Sequence, residues 1–300
     1  MRYVWLGLNI VVNFFLISFV MFLVSGLLPY AELWAMGITI LVILLALSPV
    51  AESYNRRIFG CRKATTEEME QMQTAWDAVT QAAVAKLPEA KQQSYQPELF
   101  VTDEDYPNAF AIGSKTVCVT WGMLASADTE ELAGILGHEL GHLRHGDTKI
   151  RSIATTMNMV GNACIWLVML VVRFFDWLGR LFQWSAAVTG DGDTSFAIGL
   201  GRGLLWLFVA IPKLILWILS WIIEVGTLAV GRKEEYNADR FSHEIGFGAG
   251  LISALHKMQD SDPPTRGVWA ALGRTHPPTA KRIEKLRALA LEDVAATVGH

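Results

Sequence analysis

Three hundred residues of ordinary composition would make one large soluble domain or two smaller ones, but 52% of these are hydrophobic and only 18% charged, against about a quarter charged in soluble domains. Mean hydropathy is +0.32, which excludes a disordered chain, because disorder requires low hydrophobicity, and argues against a soluble globule. A net charge of −4 with no long basic run leaves no electrostatic footprint for nucleic acid.

Four apolar runs approach or exceed the roughly 20 residues a helix needs to cross a bilayer. The first, Val4–Leu28, is followed across Pro29-Tyr30-Ala31-Glu32 by the second, Leu33–Val50. No small-residue cleavage site follows the first run, so it reads as a span and not as a leader. The third, Ile153–Phe175, opens with Thr155, Thr156, Asn158 and Asn162, and the fourth, Leu204–Val230, carries Pro212, Lys213 and Glu224. Charges inside a span are tolerated where they face protein, water or the interface. The expectation is two transmembrane hairpins. Arg56, Arg57, Arg62, Lys63, Lys149, Arg151, Arg232 and Lys233 flank the soluble segments, whereas Pro29–Glu32 has no basic residue and the Asp176–Ser195 connection has only Arg180. Basic residues concentrate on the cytoplasmic side, so both termini and the soluble parts are expected there, on a multi-pass protein of the cell (inner) membrane.

Between the hairpins, Thr66–Lys86 has a helical pattern stopped by Pro88, and Glu98–Thr102, Asn108–Ile112 and Thr116–Trp121 read as short strands. Asp128 and Glu131 then supply a capping pair for an amphipathic helix that ends near His145-Gly146-Asp147. After the fourth run, Lys233–Ile245 reads as helix up to Gly246-Phe247-Gly248, and a last helix covers about Thr279–Leu291. Gly113-Ser114-Lys115-Thr116 lacks the upstream glycine and the Gly-Lys step of a phosphate loop, and Gly199–Gly203 follows no strand, so no nucleotide is expected. Cys61, Cys118 and Cys164 are too few and too scattered for a disulfide framework or a cysteine metal knuckle.

The most informative segment is His138-Glu139-Leu140-Gly141-His142, inside the capped helix. Residues four apart share a helix face, so both imidazoles can reach one tetrahedral zinc, with Glu139 turned toward the open side as general base. A catalytic zinc needs a third protein ligand and one free position. His145 lies one helical turn too far along. Glu235 and Asp239, again four apart, offer one carboxylate for the metal and one to accept the spare N–H of a ligating histidine. For either to meet His138 and His142, the chain must cross the membrane an even number of times in between. His142 is eleven residues from the third run, about 16 Å if helical, which places the site near the membrane surface.

Taken together, the N-terminal hairpin, Asn108-Ala109-Phe110, His138–His142, Arg232–Asp239 and Thr275-His276-Pro277-Pro278 with Arg282-Ile283 resemble the HtpX-type membrane zinc metallopeptidases, which are related to the CAAX prenyl endopeptidases. The resemblance implies that Glu235 is the third zinc ligand and that Asp239 orients a ligating histidine. It also implies that Asn108, Ala109 and Phe110 lie on a sheet edge that pairs with extended substrate, and that His276 stands by the site as a second catalytic residue. The implied fold is α+β and mainly helical: two transmembrane hairpins plus a zincin-like cytoplasmic domain with a small β-sheet. The corresponding divisions are residues 1–52, 53–152, 153–230 and 231–300. The expected function is zinc-dependent endopeptidase action, with one Zn2+ per chain, on polypeptides such as misfolded or damaged membrane proteins. Two rivals stand beside it: a CAAX-type prenyl protease, which a preference for prenylated peptide would reveal, and a non-catalytic membrane protein whose zinc is structural, which four protein ligands would reveal.

Overall fold

The computed structural model describes residues 2–24, 30–190, 192–259 and 279–298. Its elements in chain order are helices α1 (Arg2–Val24), α2 (Ala31–Ala46), α3 (Pro49–Ile58), α4 (Thr66–Ala85) and α5 (Glu89–Gln92), then strands β1 (Glu98–Thr102), β2 (Ala109–Ile112) and β3 (Thr116–Thr120). Helices α6 (Trp121–Ser126), α7 (Thr129–His145), α8 (Asp147–Val188), α9 (Gly192–Glu244) and α10 (Gly248–Gln259) follow, and Thr279–Val298, here α11, closes the chain. The chain divides into two compact units, one of residues 1–43 and 154–227 and the other of residues 44–153 and 228–300.

Among the described residues the first unit consists of helices and the turns that join them. Arg2–Phe22 and Asp147–Val188 are long and apolar enough to cross a membrane, and the bent pair α2 and α3 makes a third candidate if taken as one span. The second apolar run is thus divided: α2 stops at Ala46 and α3 starts at Pro49, at 64° to it. Proline lacks the N–H that would continue the ladder, and Ser48 accepts a hydrogen bond from the Ala51 N–H to begin the new helix. The fourth run falls inside α9, where most side chains of 205–230, Lys213 and Glu224 included, lie outside the described residues.

Contrary to the sequence expectation, Asp176–Ser195 is not a loop. Helix α8 continues to Val188 and the turn is confined to its end, with Gly190 at φ +77°. The charges that read as a loop signal pair between helices instead. The buried Asp176 carboxylate accepts from Arg180 Nε at 3.0 Å and from Arg202 Nε at 2.9 Å. Nearer the start of the helices, the Asn158 side-chain carbonyl accepts from Asn9 Nδ2 (2.7 Å) and Asn13 Nδ2 (3.1 Å). A Cβ on Gly161 would lie 1.9 Å from Asn13 Oδ1, so glycine here leaves the Asn13 side chain where it bonds Asn158.

The second unit holds the sheet, ordered β1-β3-β2, with β1 parallel and β2 antiparallel to the central β3. The turn from β2 to β3 is shaped by Gly113 at φ +60°, and its amides donate to Glu52 from α3: Ser114 N at 2.9 Å, Lys115 N at 3.2 Å and Thr116 N at 2.9 Å. The segment with the superficial look of a phosphate loop is therefore a hairpin turn that grips a carboxylate. Helix α4 is opened by a Thr65–Glu68 capping box and buries Met72, Ala75, Val79 and Ala83, one stripe at helical spacing. That stripe shares a core with α7, with Leu251, Ala254 and Leu255 of α10, and with Ile283 and Leu286 of α11. The predicted Lys233–Ile245 helix is the end of the longer α9.

Candidate metal centre

Helix α7 is fixed at both ends by local chemistry. Asp128 and Glu131 form a reciprocal capping box, and Gly146 at φ +74° ends the helix in the left-handed conformation that glycine adopts without strain. Between the caps, two glycines decide what packs against it. A Cβ on Gly134 would stand 2.1 Å from the Leu251 backbone nitrogen, and one on Gly141 would stand 3.0 Å from Ala238 Cα. Glycine in a helix interior costs about 1 kcal/mol relative to alanine, and here it lets α9 and α10 approach α7 at backbone distance. Ser242 closes the contact by donating to the Gly134 carbonyl at 2.8 Å.

That approach puts Glu235, fully buried, between the two histidines. His138 Nε2 lies 3.5 Å from one Glu235 oxygen and His142 Nε2 3.3 Å from the other. His138, His142 and Glu235 each offer a ligand atom, and the three atoms lie within 4.8 Å of one another. With ligand bonds of about 2.0–2.1 Å, neighbouring donors on a tetrahedral zinc are about 3.3–3.4 Å apart, so the set fits a zinc ion by donor chemistry, at separations of up to 4.8 Å that are wider than a bound ion would set. Glu139 is buried next to the group without belonging to it, close enough for its charge to act on His142 and Arg282.

The other nitrogen of each histidine is held by its own carboxylate. Asp239 Oδ1 is 2.8 Å from His138 Nδ1, and Asp147 Oδ2 is 3.1 Å from His142 Nδ1. With a metal bound, each Nδ1–H would donate outward and leave Nε2 with its lone pair for the ion, the tautomer a metal requires. Burial works against a charged His142, yet Asp147 and Glu235 outweigh it and push its pKa up to about 10. His138 is likewise raised, with burial and Arg282 opposing and Asp239 and Glu235 prevailing. Asp239 itself is held well below the usual carboxylate range: burial raises it, but Arg282 and His138 win. Without a metal the centre is rich in carboxylates and draws protons, so a divalent cation satisfies the same charges.

A family model for peptidase family M48 matches residues 70–290, which includes every element of this centre. The chain belongs to that family. Relatives named Protease HtpX homolog include one from Streptococcus uberis, 30% identical over 85% of this chain and 87% of its own length, and one from Streptococcus gordonii, 29% identical over 69% of each. A third, from Pyrococcus abyssi, is 32% identical over 66% of this chain and 68% of its own. The crystal structure of S. mikatae Ste24p is similar in fold, with a TM-score of 0.51 and 15% identity, over 90% of this chain. This chain spans only 62% of that one.

Two residues of this M48 centre had no role assigned from sequence. Asp147, the partner of His142, is the first residue of α8 and lies directly after the Gly146 cap. Its signal was present: an acid five residues past the second histidine, just beyond a predicted helix end. Arg282, on α11, grips Asp239 with two hydrogen bonds, Nε to Oδ2 at 2.9 Å and Nη2 to Oδ1 at 2.6 Å, and its Nη1 is 3.7 Å from Glu235. Bound this way it fixes the carboxylate that fixes His138. His145 stands apart, with its ring packed edge-on to Phe241 at 6.1 Å between centroids. His276 lies outside the described residues.

The sheet divides the Asn108–Phe110 segment between two faces. Strand β2 is an edge, paired on one side to β3. Ala109 faces the core that α7 shares, whereas Phe110 points to the opposite face and packs on Phe59. Asn108 precedes the strand; its side chain accepts from the Ala109 N–H at 3.0 Å, and its own N–H donates to Thr120 Oγ1 at 2.9 Å.

Proposed function

We propose that this membrane-anchored M48 peptidase is a zinc metalloendopeptidase whose metal is held by His138, His142 and Glu235. The observation that carries the reading is the convergence of those three groups while Asp239 and Asp147 each hold the far side of one histidine. A zinc ion there supplies Lewis acidity, acidifying a water molecule and polarising the scissile carbonyl. Glu139 takes the proton of the attacking water and passes it to the leaving amine. The outer edge of β2 pairs with an extended substrate, using backbone groups at Asn108–Phe110, with Ala109 leaving room on the α7 side and Phe110 anchoring the strand from behind. His276, as the family resemblance implies, stands ready to steady the developing oxyanion.

In this reading the catalytic unit faces the cytoplasm, as the Lys and Arg flanks direct, and the chain crosses the cell (inner) membrane in two hairpins. Its substrates are membrane proteins, including misfolded or damaged ones, since its own apolar helices would share their bilayer. The test uses detergent-purified protein, an unfolded polypeptide substrate, added zinc or chelator, and the Glu139→Gln variant. Zinc-dependent cleavage that the variant lacks is the expected result. Equal cleavage by wild type and variant would overturn the assignment of the base. One tightly bound zinc per chain without any cleavage would favour a structural site.

A further inference from the structure

We propose that Cys61 and Cys118 form a reversible thiol–disulfide pair that peroxides oxidise, a modification site remote in sequence from the metal centre. Arg62 is joined to β1 by paired backbone hydrogen bonds with Val101, at 2.8 and 2.9 Å, and Cys61 N donates to the Arg56 carbonyl at 2.8 Å. These bonds lay the segment after α3 across one face of the sheet. There Phe59 stacks on Phe110 at 5.3 Å, and Cys61 packs on the cluster of Phe100, Phe110, Ile112 and Cys118. Both sulfurs therefore belong to one small apolar cluster.

Their environments differ in the way an attacking and a resolving thiol require. Cys61 is partly exposed, and its pKa is lowered by the neighbouring Cys118 and by Arg56, against the effect of burial. Cys118 is fully buried on β3, and the neighbouring Cys61 together with burial pushes its pKa up. Arg56 and Lys63 lie 4.8 and 4.3 Å over the ring of Phe100, the register partner of Cys118, and Lys63 also pairs with Glu98 at 3.1 Å. Reactive cysteines occupy such partly exposed, cationic surroundings.

The chemistry balances. The Cys61 thiolate attacks one peroxide oxygen; an S–O bond forms, the O–O bond breaks, and hydroxide leaves to give a sulfenic acid. The Cys118 sulfur then attacks that sulfur; the S–S bond forms, the S–O bond breaks, and the departing hydroxide takes the Cys118 proton as water. Two thiols are oxidised by two electrons and one peroxide is reduced. A dithiol reductant reverses the step. Disulfides in reducing compartments are mostly transient and redox-sensing, and this one would tie the segment after α3 to the strand that carries β2.

The test uses the full-length protein in detergent, treated with hydrogen peroxide, alkylated and peptide-mapped without reduction. The expected result is a Cys61–Cys118 cross-linked peptide that dithiothreitol removes, with Cys164 left out of any cross-link. In Cys118→Ser, Cys61 should advance to sulfinic acid that dithiothreitol does not restore. Wild-type protein showing Cys61 sulfinic acid beside an unmodified Cys118, a cross-link of another pair, or both thiols intact under peroxide that oxidises free cysteine would overturn the proposal. The wild-type mapping stands whether or not the variant folds.

Discussion

In the unit formed by residues 1–43 and 154–227, buried polar groups close on one another. Asn158 satisfies Asn9 and Asn13, and Asp176 is shared by Arg180 and Arg202. In the other unit, Asp147, Asp239 and Arg282 hold the outer atoms of two histidines, so that Nε2 of each and both oxygens of Glu235 are directed at one another. Both arrangements bury polarity at a cost. A self-satisfied set fixes helix register; a set that aims its ligand atoms at one point can hold a metal. The contrast predicts that variants of the first kind change stability without touching the chemistry, and variants of the second change metal binding or cleavage.

The sharpest way to break this contrast is Glu139→Gln, which should lower cleavage by roughly 10²–10⁴-fold with zinc content and thermal midpoint kept. A variant that cleaves normally, or one that loses its zinc, would show that Glu139 belongs to the holding set. Next in size is the metal itself. Zinc at about a hundredfold over its Kd should stabilise the wild type by about 2.7 kcal/mol, read as a raised thermal midpoint, and Glu235→Ala should abolish that shift. Asp147→Asn and Asp239→Asn should each weaken zinc affinity by about 10–100-fold in a competition titration. If only Asp239→Asn does so, Asp147 serves the helix start and not the metal.

A smaller effect is expected away from the centre, at Glu68, which Arg62 holds by two hydrogen bonds, 2.8 and 2.7 Å. The Arg62 contact is the main reason its pKa lies near about 2, with burial opposing. Its folded pKa is depressed, so its stabilisation is present above the ordinary carboxylate value and is lost as pH falls from there toward about 2. Solvent screening at the half-exposed Arg62 limits it to about 1 kcal/mol, so Glu68→Gln should lower stability by about that much at neutral pH and by almost nothing at the acid end. Smallest of all, Asn158→Leu should cost about 0.6 kcal/mol in a membrane-unit unfolding assay and leave cleavage unchanged. Loss of activity there would refute the division of roles.

Local signals made much of this legible beforehand. The capping pair and the glycine after His145 bounded α7 correctly because caps act over a few residues, and the i, i+4 histidines announced a shared point because helix geometry guarantees it. The loop expected at Asp176–Ser195 failed for a complementary reason: charge reads as solvent exposure until a partner on a facing helix is known. Arg202, which supplies that partner, lies on α9.

By itself, then, the sequence determined the apolar runs, the capped helix and the identity of a zinc-capable histidine pair, because each depends on residues within a turn or two of one another. Only the tertiary structure decided that Glu235 sits between those histidines, that Asp147 and Asp239 divide them, that Arg282 steadies one of the two carboxylates, and that Cys61 packs on the cluster that holds Cys118. Each of those is a meeting of segments distant in the chain or across a helix boundary; that of Glu235 is made possible where glycines on α7 let the α9 backbone approach. No local pattern encodes such a meeting, since the free energy that enforces it belongs to the shared core and not to either segment.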